Sequence, residues 1–307
     1  MNNPKLSVII PTYNRSVELR RALISLELQT VNFFEVIVVD DGSTEDIKSL
    51  VDLFKSSLNI KYLRIKNSGG PARPRNFGIR AASSDWISFL DSDDWWFPGR
   101  ISKVLETIAM NDGFDIFYHQ LKIISTSRSC NLLSTSVLGH KIRGEVLRNL
   151  LIYGNALPNS SVVVNKKIFD EVGWINESPL FSSVEDFDFW LLSAKNNKKF
   201  FFINKILGGY WSNLDGISSN PDQLIIKNKR ILDKYAICLS THDYMKAVSK
   251  LNYLSGSVLY SVGRYKEALI YLNNSKNISG SKFRIKRYIK IFDLYLKDII
   301  HKITKYI

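Results

Sequence analysis

The sequence predicts an α/β protein in which an open, mostly parallel sheet with helical crossovers is followed by a helical C-terminal region. Three observations carry this. β-forming runs alternate with helix-period stretches from Leu6 to Leu90. Three of those runs end in polar turns, Pro11-Thr-Tyr-Asn14, Asp40-Asp-Gly-Ser43 and Asp91-Ser-Asp-Asp94. Beyond about Ile217 the pattern changes to almost pure helix. A β-α-β alternation calls for parallel strands with right-handed crossovers, and such sheets bind ligands at the carboxyl ends of their strands.

In order, Leu6 to Ile10 reads as a buried strand and Arg15 to Leu28 as a helix, with apolar residues at Val17, Leu19, Ala22, Leu23, Leu26 and Leu28. Phe34 to Val39 is a second strand, and the following Ser43-Thr-Glu-Asp46 caps a helix through about Leu53. Ile60 to Ile65 is a third strand, Gly69-Gly-Pro71 a loop and Ala72 to Ala82 a helix. Trp86 to Leu90 is the fourth strand, ending in three carboxylates within four positions. Acids this close raise one another's pKa unless a cation or a donor network is present, and oxygen ligands suit Mg²⁺ or Mn²⁺. A polar turn leading into the helix near Pro98 is the plainer alternative. Arg100 to Met110 reads as helix and Asp115 to Ser125 as strand; Val162 to Val164, Lys166 to Val172 and Phe200 to Ile203 then read as strand, helix and strand.

Tyr253 to Leu272 resembles one tetratricopeptide helix pair turning at Gly263. One such unit cannot bury its faces alone, so a helical hairpin packed on a larger body is expected rather than an array. The length supports one large domain, residues 1–216, and a smaller helical one, residues 217–307.

Charge is unevenly placed. Of the net +13, the stretch from Lys227 onward holds +12, with 17 Lys and Arg against 5 Asp and Glu. That asks for an anionic partner, either a lipid surface or nucleic acid. Lys282 to Ile307 reads as a basic amphipathic helix with aromatic edges, suited to a membrane interface; a terminal helix with a solvated basic face is the alternative. No apolar run reaches the roughly 18 residues of a membrane span, and no secretory signal is recognised at Leu6 to Ile10. Cys130 and Cys238 lie too far apart for metal-ligand spacing and fit a reducing compartment.

Val8-Ile-Ile-Pro-Thr-Tyr-Asn14, Val38-Val-Asp-Asp-Gly-Ser-Thr44, Gly69-Gly-Pro-Ala-Arg-Pro-Arg-Asn-Phe-Gly78 and Phe89-Leu-Asp-Ser-Asp-Asp94 form an ordered series. Together they resemble the family 2 glycosyltransferases over about residues 5 to 215. The resemblance implies the GT-A fold, a Rossmann-like α/β architecture, and an inverting, metal-dependent transfer from a UDP-sugar. Pro11, Thr12 and Tyr13 then stand at the nucleotide base, with Arg15 in the donor-binding set. Asp41 matches the acceptor of the base N3–H, which favours uridine. Gly42 is expected at a positive φ. Arg73 and Arg75 lie where a diphosphate passes, with a solvent-facing helix position as the alternative for each. Asn76 and Gly78 match positions that shape the helix.

By the same resemblance, Asp91 faces the ribose or metal-bound water with Ser92 beside it. Asp93 ligates the divalent ion, with Asp91 as its companion, and Asp94 holds supporting groups. Many GT-A enzymes add a later histidine ligand; here Tyr210-Trp-Ser-Asn213 occupies that point. Glu185-Asp186 opens an aromatic-rich helix, where an acidic start alone would only suit the dipole. The resemblance makes Asp186 the catalytic base and Glu185 an orienting group. Trp95, Trp96 and Trp190 are candidates to stack on acceptor sugars, with core packing as the alternative for each.

The expected activity is hexosyl transfer to a saccharide acceptor carried on polyprenyl diphosphate, in bacterial surface polysaccharide (O-antigen or capsule) synthesis. The enzyme would be cytoplasmic, peripheral on the inner face of the plasma membrane. A nucleotidyltransferase also uses clustered aspartates, but with a Gly- and Lys-rich phosphate loop near its first strand, which Pro11-Thr-Tyr-Asn14 is not. A basic nucleic-acid- or membrane-binding scaffold leaves both acidic motifs unexplained, and no nucleic-acid motif appears. The oligomeric state is not legible.

Overall fold

Leu6–Thr12 forms β1, and all seven of its residues are buried. A run with no polar face belongs in the middle of a sheet covered on both sides. The computed structural model describes residues 5–124, 137–212 and 220–304. The chain divides into two compact units, residues 1–146 with 155–214, and residues 147–154 with 215–307.

In the first unit, β1 is followed by α1 (Ser16–Glu27), β2 (Phe34–Asp40), α2 (Ile47–Asp52), β3 (Ile60–Arg64), α3 (Ala72–Ala81) and β4 (Trp86–Phe89). β5 (Trp95–Trp96), α4 (Arg100–Met110), β6 (Ile116–Ile124) and β7 (Val137–Leu138) come next. After them stand β8 (Val163–Asn165), α6 (Ile168–Glu171), α7 (Glu185–Lys195) and β9 (Phe200–Trp211), with α5 (Val146–Tyr153) lying between β7 and β8 in the chain. Among the described residues nine strands form one sheet in the order β3-β2-β1-β4-β8-β6-β9-β5, with β7 beside β6.

The β3-β2-β1-β4 half is parallel, and the chain steps outward to β3 and then back across β1 to β4. That reversal opens a crevice at the carboxyl ends of β1 and β4, the place where open α/β sheets hold ligands. The other half is mixed: β8 runs antiparallel to β4 and β6, β9 parallel to β6, and β5 antiparallel to β9. α3 lies close on the sheet because Gly78 has no side chain; a Cβ there would stand 2.6 Å from Ile9 Cγ2.

Four elements differ from the sequence reading. β9 runs through Trp211 instead of stopping at Ile203, since Asn204-Lys205-Ile206 is exposed and its register against β6 shifts between His119 and Leu121. Its glycines are steric necessities: a Cβ on Gly209 would fall 2.4 Å from the Trp95 ring, and one on Gly208 2.7 Å from the Trp95 carbonyl. β5 and β7, two residues each, are too short for a hydrophobic period to announce. α5 likewise has no counterpart in that reading.

The second unit is helical: α5 apart from Val146, then α8 (Pro221–Tyr235), α9 (Thr241–Ser261), α10 (Tyr265–Asn273) and α11 (Ser281–Thr304). α9 and α10 form a hairpin that turns at Gly263, whose φ is +79°. Gly256 lets the two helices touch, since a Cβ there would sit 2.8 Å from Leu272 Cγ and 3.0 Å from the Ala268 carbonyl oxygen. Tyr253, Leu259, Ala268, Leu272, Ile278 and Leu294 make its core. The domain boundary expected at 216/217, Asn213, Cys130 and the end of the tail at Lys305 to Ile307 lie outside the described residues. Among the described residues no helix is long and apolar enough to cross a membrane.

Candidate active site

Strand register sets the first wall of the site. Thr12 pairs with Asp40 at the ends of β1 and β2, and the Asp41 amide donates to the Thr12 carbonyl at 2.9 Å. Asp40 is fully buried and accepts from the Ser43 amide at 2.8 Å and the Tyr62 hydroxyl at 2.6 Å, which makes it a structural acid. Asp41 accepts from both the amide and the hydroxyl of Ser68, each at 2.9 Å. Burial pushes its carboxyl upward, against the pull of those two donors. Gly42 turns the chain at φ +79°, and a Cβ there would meet the Asn67 amide nitrogen at 2.9 Å. Asn14 clips the two loops together by accepting from the Thr44 amide at 2.8 Å. Pro11 and Thr12 are buried, while the Tyr13 ring is 47% exposed. A cavity of about 310 Å³ opens beside Ser68, lined also by Gly70, Arg73 and Glu177. Asn76 holds its far side, donating to the Ile175 carbonyl and to Glu177, each at 2.8 Å.

The second wall is the acid loop after β4. Asp91 Oδ1 accepts from Arg75 at 2.7 Å and from Asn159 Nδ2 at 3.0 Å. Asp93 pairs with Arg15, and Arg21 donates to the Asp93 carbonyl at 2.5 Å. Burial first and the Asp91 charge second push the Asp93 carboxyl up, opposed by Arg15. Asp94 is buried between the Ser160 hydroxyl at 2.6 Å and the Trp211 amide at 3.0 Å, and burial holds its carboxyl well above the usual range. Ser160 also accepts from the Asp91 amide at 3.0 Å, so one hydroxyl fixes both ends of the loop. Ser92 is buried beside them.

Arg75 joins this wall to a third. Only 4% exposed, it donates through Nη2 to Asp91 and through Nη1 to Glu185 at 2.5 Å. Its position therefore differs from the diphosphate-facing fork expected of it: both ends already hold carboxylates. Burial opposes its charge, and the carboxylates of Asp91, Glu185 and Asp186 more than offset that, raising its pKa. Glu185 and Asp186 open α7. Burial and the neighbouring Glu185 push the Asp186 carboxyl up to about 7, with Arg75 pulling the other way. Tyr210, from β9, reports on both clusters. Its phenol is pushed up to about 12 by burial and by the carboxylates of Asp94, Asp93, Asp91 and Asp186. Four carboxylates from two distant stretches of chain therefore act on one hydroxyl.

Four buried polar atoms of this network have no hydrogen-bond partner among the described residues: Arg21 Nε, Arg75 Nε, Asn159 Oδ1 and Glu185 Oε2. Unsatisfied groups gathered in one place mark a site for water or ligand. Among the described residues no three side chains of His, Cys, Asp or Glu stand together as a metal cage.

The aromatic candidates separate. Trp95 is half-buried, with Arg21 4.7 Å over its ring and over that of Trp211. Trp96 and Trp190 are each 1% exposed, which corrects the expectation that they line an acceptor cleft. Trp96 donates to the Ser160 carbonyl at 2.8 Å under the Arg100 guanidinium, and Trp190 packs on Phe89 and Phe189. Arg21, Asn159, Ser160 and Tyr210 were not legible as site residues. Pro158-Asn-Ser-Ser161 reads only as a polar turn, and Arg21 as one more helix arginine.

Residues 7–160 match the family model described as Glycosyl transferase family 2. An uncharacterized glycosyltransferase of Haemophilus influenzae is 32% identical over 186 residues, 61% of this chain and 60% of the relative. The protein named GalNAc(5)-diNAcBac-PP-undecaprenol beta-1,3-glucosyltransferase of Campylobacter jejuni is 41% identical over 113 residues, 36% of each chain. The chain thus spans less than two thirds of the length of these relatives. Among solved structures, S. aureus TarS 1-349 in complex with UDP superposes with a TM-score of 0.61 at 21% identity, over 95% of this chain and 89% of that one. The mannosyltransferase PcManGT of Pyrobaculum calidifontis, in complex with GDP-Man and Mn²⁺, gives 0.58 at 13% identity, over 97% and 88%. At these identities the structures speak for the fold alone, and that fold is GT-A. The family model spans β1 from Ser7 through the Asn159-Ser160 turn, and with it the acid loop; the chain belongs to glycosyltransferase family 2.

Proposed function

We propose that the chain transfers a sugar from a UDP-sugar to a saccharide hydroxyl, with inversion, in a cleft between the acid loop after β4 and the start of α7. The observation that carries this reading is buried Arg75, whose two nitrogens bridge Asp91 and Glu185. On the donor side, Asp41 accepts from the pyrimidine imide N–H while exposed Tyr13 stacks on the base. Asp91 and Ser92 face the ribose and Arg15 steadies Asp93. Glu185, with one oxygen committed to Arg75 and Oε2 unpartnered, orients a sugar hydroxyl. Asp186 takes the proton of the acceptor hydroxyl as that oxygen bonds to the anomeric carbon and the bond to UDP breaks. An α-linked donor thus gives a β-glycoside, and a carboxyl poised near neutrality suits the task. Trp95, half-buried beside Arg21, is the aromatic left to meet an acceptor ring.

Asp91 and Asp93 would hold a divalent cation, since they are crowded carboxylates whose mutual repulsion a cation would relieve. Bound Mn²⁺ or Mg²⁺ would supply Lewis-acid stabilisation of the departing diphosphate. The Mn²⁺ in the mannosyltransferase structure supports the fit.

The first unit carries this chemistry. The relative named for an undecaprenol-linked substrate and the +12 from Lys227 onward support an acceptor on polyprenyl diphosphate, met at an anionic membrane surface on the cytoplasmic side. Bacterial surface polysaccharide synthesis is the matching setting.

A thermal-shift screen of UDP-, GDP- and dTDP-sugars with and without Mn²⁺ tests the donor. One UDP-sugar should stabilise the chain only with metal, by about 2.7 kcal/mol at roughly a hundred times its Kd. Stabilisation by no nucleotide sugar, or consumption of a nucleoside triphosphate instead, would contradict the reading.

A further inference from the structure

The helical unit holds a basic cavity that the transfer chemistry does not use. It has a volume of about 570 Å³ and is lined by His242, Lys246, Lys276 and Arg284 with the Asn277–Gly280 backbone turn, and no acid lines it. The acid next to it in sequence, Asp243, is already held by Arg148 through two hydrogen bonds of 2.6 and 2.7 Å. Lys246 and His242 each lie 3.8 Å from that carboxylate, whereas Lys276 and Arg284 form no ion pair among the described residues and are the two free charges of the hollow. Uncompensated cations around a hollow invite a multiply charged oxyanion.

A second observation says what that anion is attached to. Arg284 stands in the first turns of α11, and one face of the same helix continues from it through Ile285, Tyr288, Ile289, Phe292, Tyr295 and Leu296. These side chains are 42 to 65% exposed, whereas Arg287 and Leu294 on the other face are 6% and 4% exposed. Spacings of three and four residues put the six on one stripe. An apolar, aromatic stripe that starts beside a cationic hollow matches the cross-section of an anionic lipid monolayer, with phosphate outside and acyl chains beneath.

We infer that the helical unit docks on an anionic lipid surface, the cavity taking a lipid phosphate while the α11 stripe enters the interface. This deepens the membrane-facing part of the proposed function and is independent of the sugar-transfer chemistry. The test is flotation of the full chain with phosphatidylcholine vesicles, with and without phosphatidylglycerol, alongside transfer to a soluble acceptor. The chain should float only with the anionic vesicles. Lys276→Glu with Arg284→Glu should weaken binding about thirtyfold or more, at one lost contact per charge near the surface. Tyr288→Ser with Phe292→Ser should release the chain while leaving its melting temperature and soluble transfer unchanged, which separates this inference from the transfer reading. Excess inorganic phosphate should compete only weakly, because it offers no acyl chain. Equal flotation with both vesicles, binding unmoved by the charge reversal, or displacement by phosphate alone would overturn the inference. So would a dimer that Phe292→Ser breaks in a chain that never floats.

Discussion

Asp186 shares the first turn of α7 with Glu185, and burial beside that second carboxyl holds its proton up to about pH 7. Arg75 and Asp91 are the other charges acting on it, one in each direction. In the base role proposed for it, Asp186 must be ionised, so kcat/KM should rise with an acid limb near pH 7 and flatten above it, a profile that Asp186→Asn should abolish along with transfer. The stability consequence has the opposite sense. A carboxyl whose folded pKa lies above its unfolded value stabilises the fold at pH below about 4 and loses that contribution as pH rises through about 7. Asp186→Asn should therefore melt about 2–4 °C higher than the parent at pH 8; an unchanged pH profile in the variant would remove Asp186 from the chemistry. The Glu185-Asp186 pair is visible in the sequence as a local pattern, and its expected roles came from the family resemblance. Ser160 was not legible, since its value lies in touching Asp91 and Asp94 at once, a contact between positions some seventy residues apart that no spacing encodes.

Arg75 belongs to α3, Asp91 to the loop after β4 and Glu185 to α7, so one guanidinium fastens three elements. Removing it leaves buried Glu185 and half-buried Asp91 without their shared cation. Arg75→Met should cost about 3–5 kcal/mol of stability, read as a fall in denaturant midpoint, because breaking a buried ion pair strands the remaining charge. Arg75→Lys should recover part of that stability yet hold only one of the two carboxylates, for lack of a planar fork. Midpoints equal to the parent would show that the bridge is not maintained in solution. The β-α alternation from β1 to β4 was legible because long, evenly buried runs reach the sequence as continuous hydrophobicity. The far half of the sheet was less so. β9 hides behind a register shift and two glycines whose purpose is to admit Trp95, and β5 is a two-residue strand that pairs with it. Trp96 and Trp190 show the same limit: composition alone does not tell a ring that fills a core from one that lines a cleft.

Across the molecule, the first unit carries most of the carboxylates and the second most of the net positive charge. The large charge asymmetry was plain in the sequence, whereas the cavity at Lys276 and Arg284 depends on where the α10–α11 turn passes. The proposed transfer depends on the acid loop after β4 and the acids of α7 serving one reaction, with separate duties. The most direct measurement compares Asp93→Asn with Asp186→Asn, following metal-dependent UDP-sugar binding by calorimetry and transfer by product formation. Asp93→Asn should weaken metal-dependent binding, while Asp186→Asn should bind donor like the parent and transfer at least about a hundredfold more slowly. Asp186→Asn turning over at the parent rate, or both variants losing donor binding alike, would contradict the proposal.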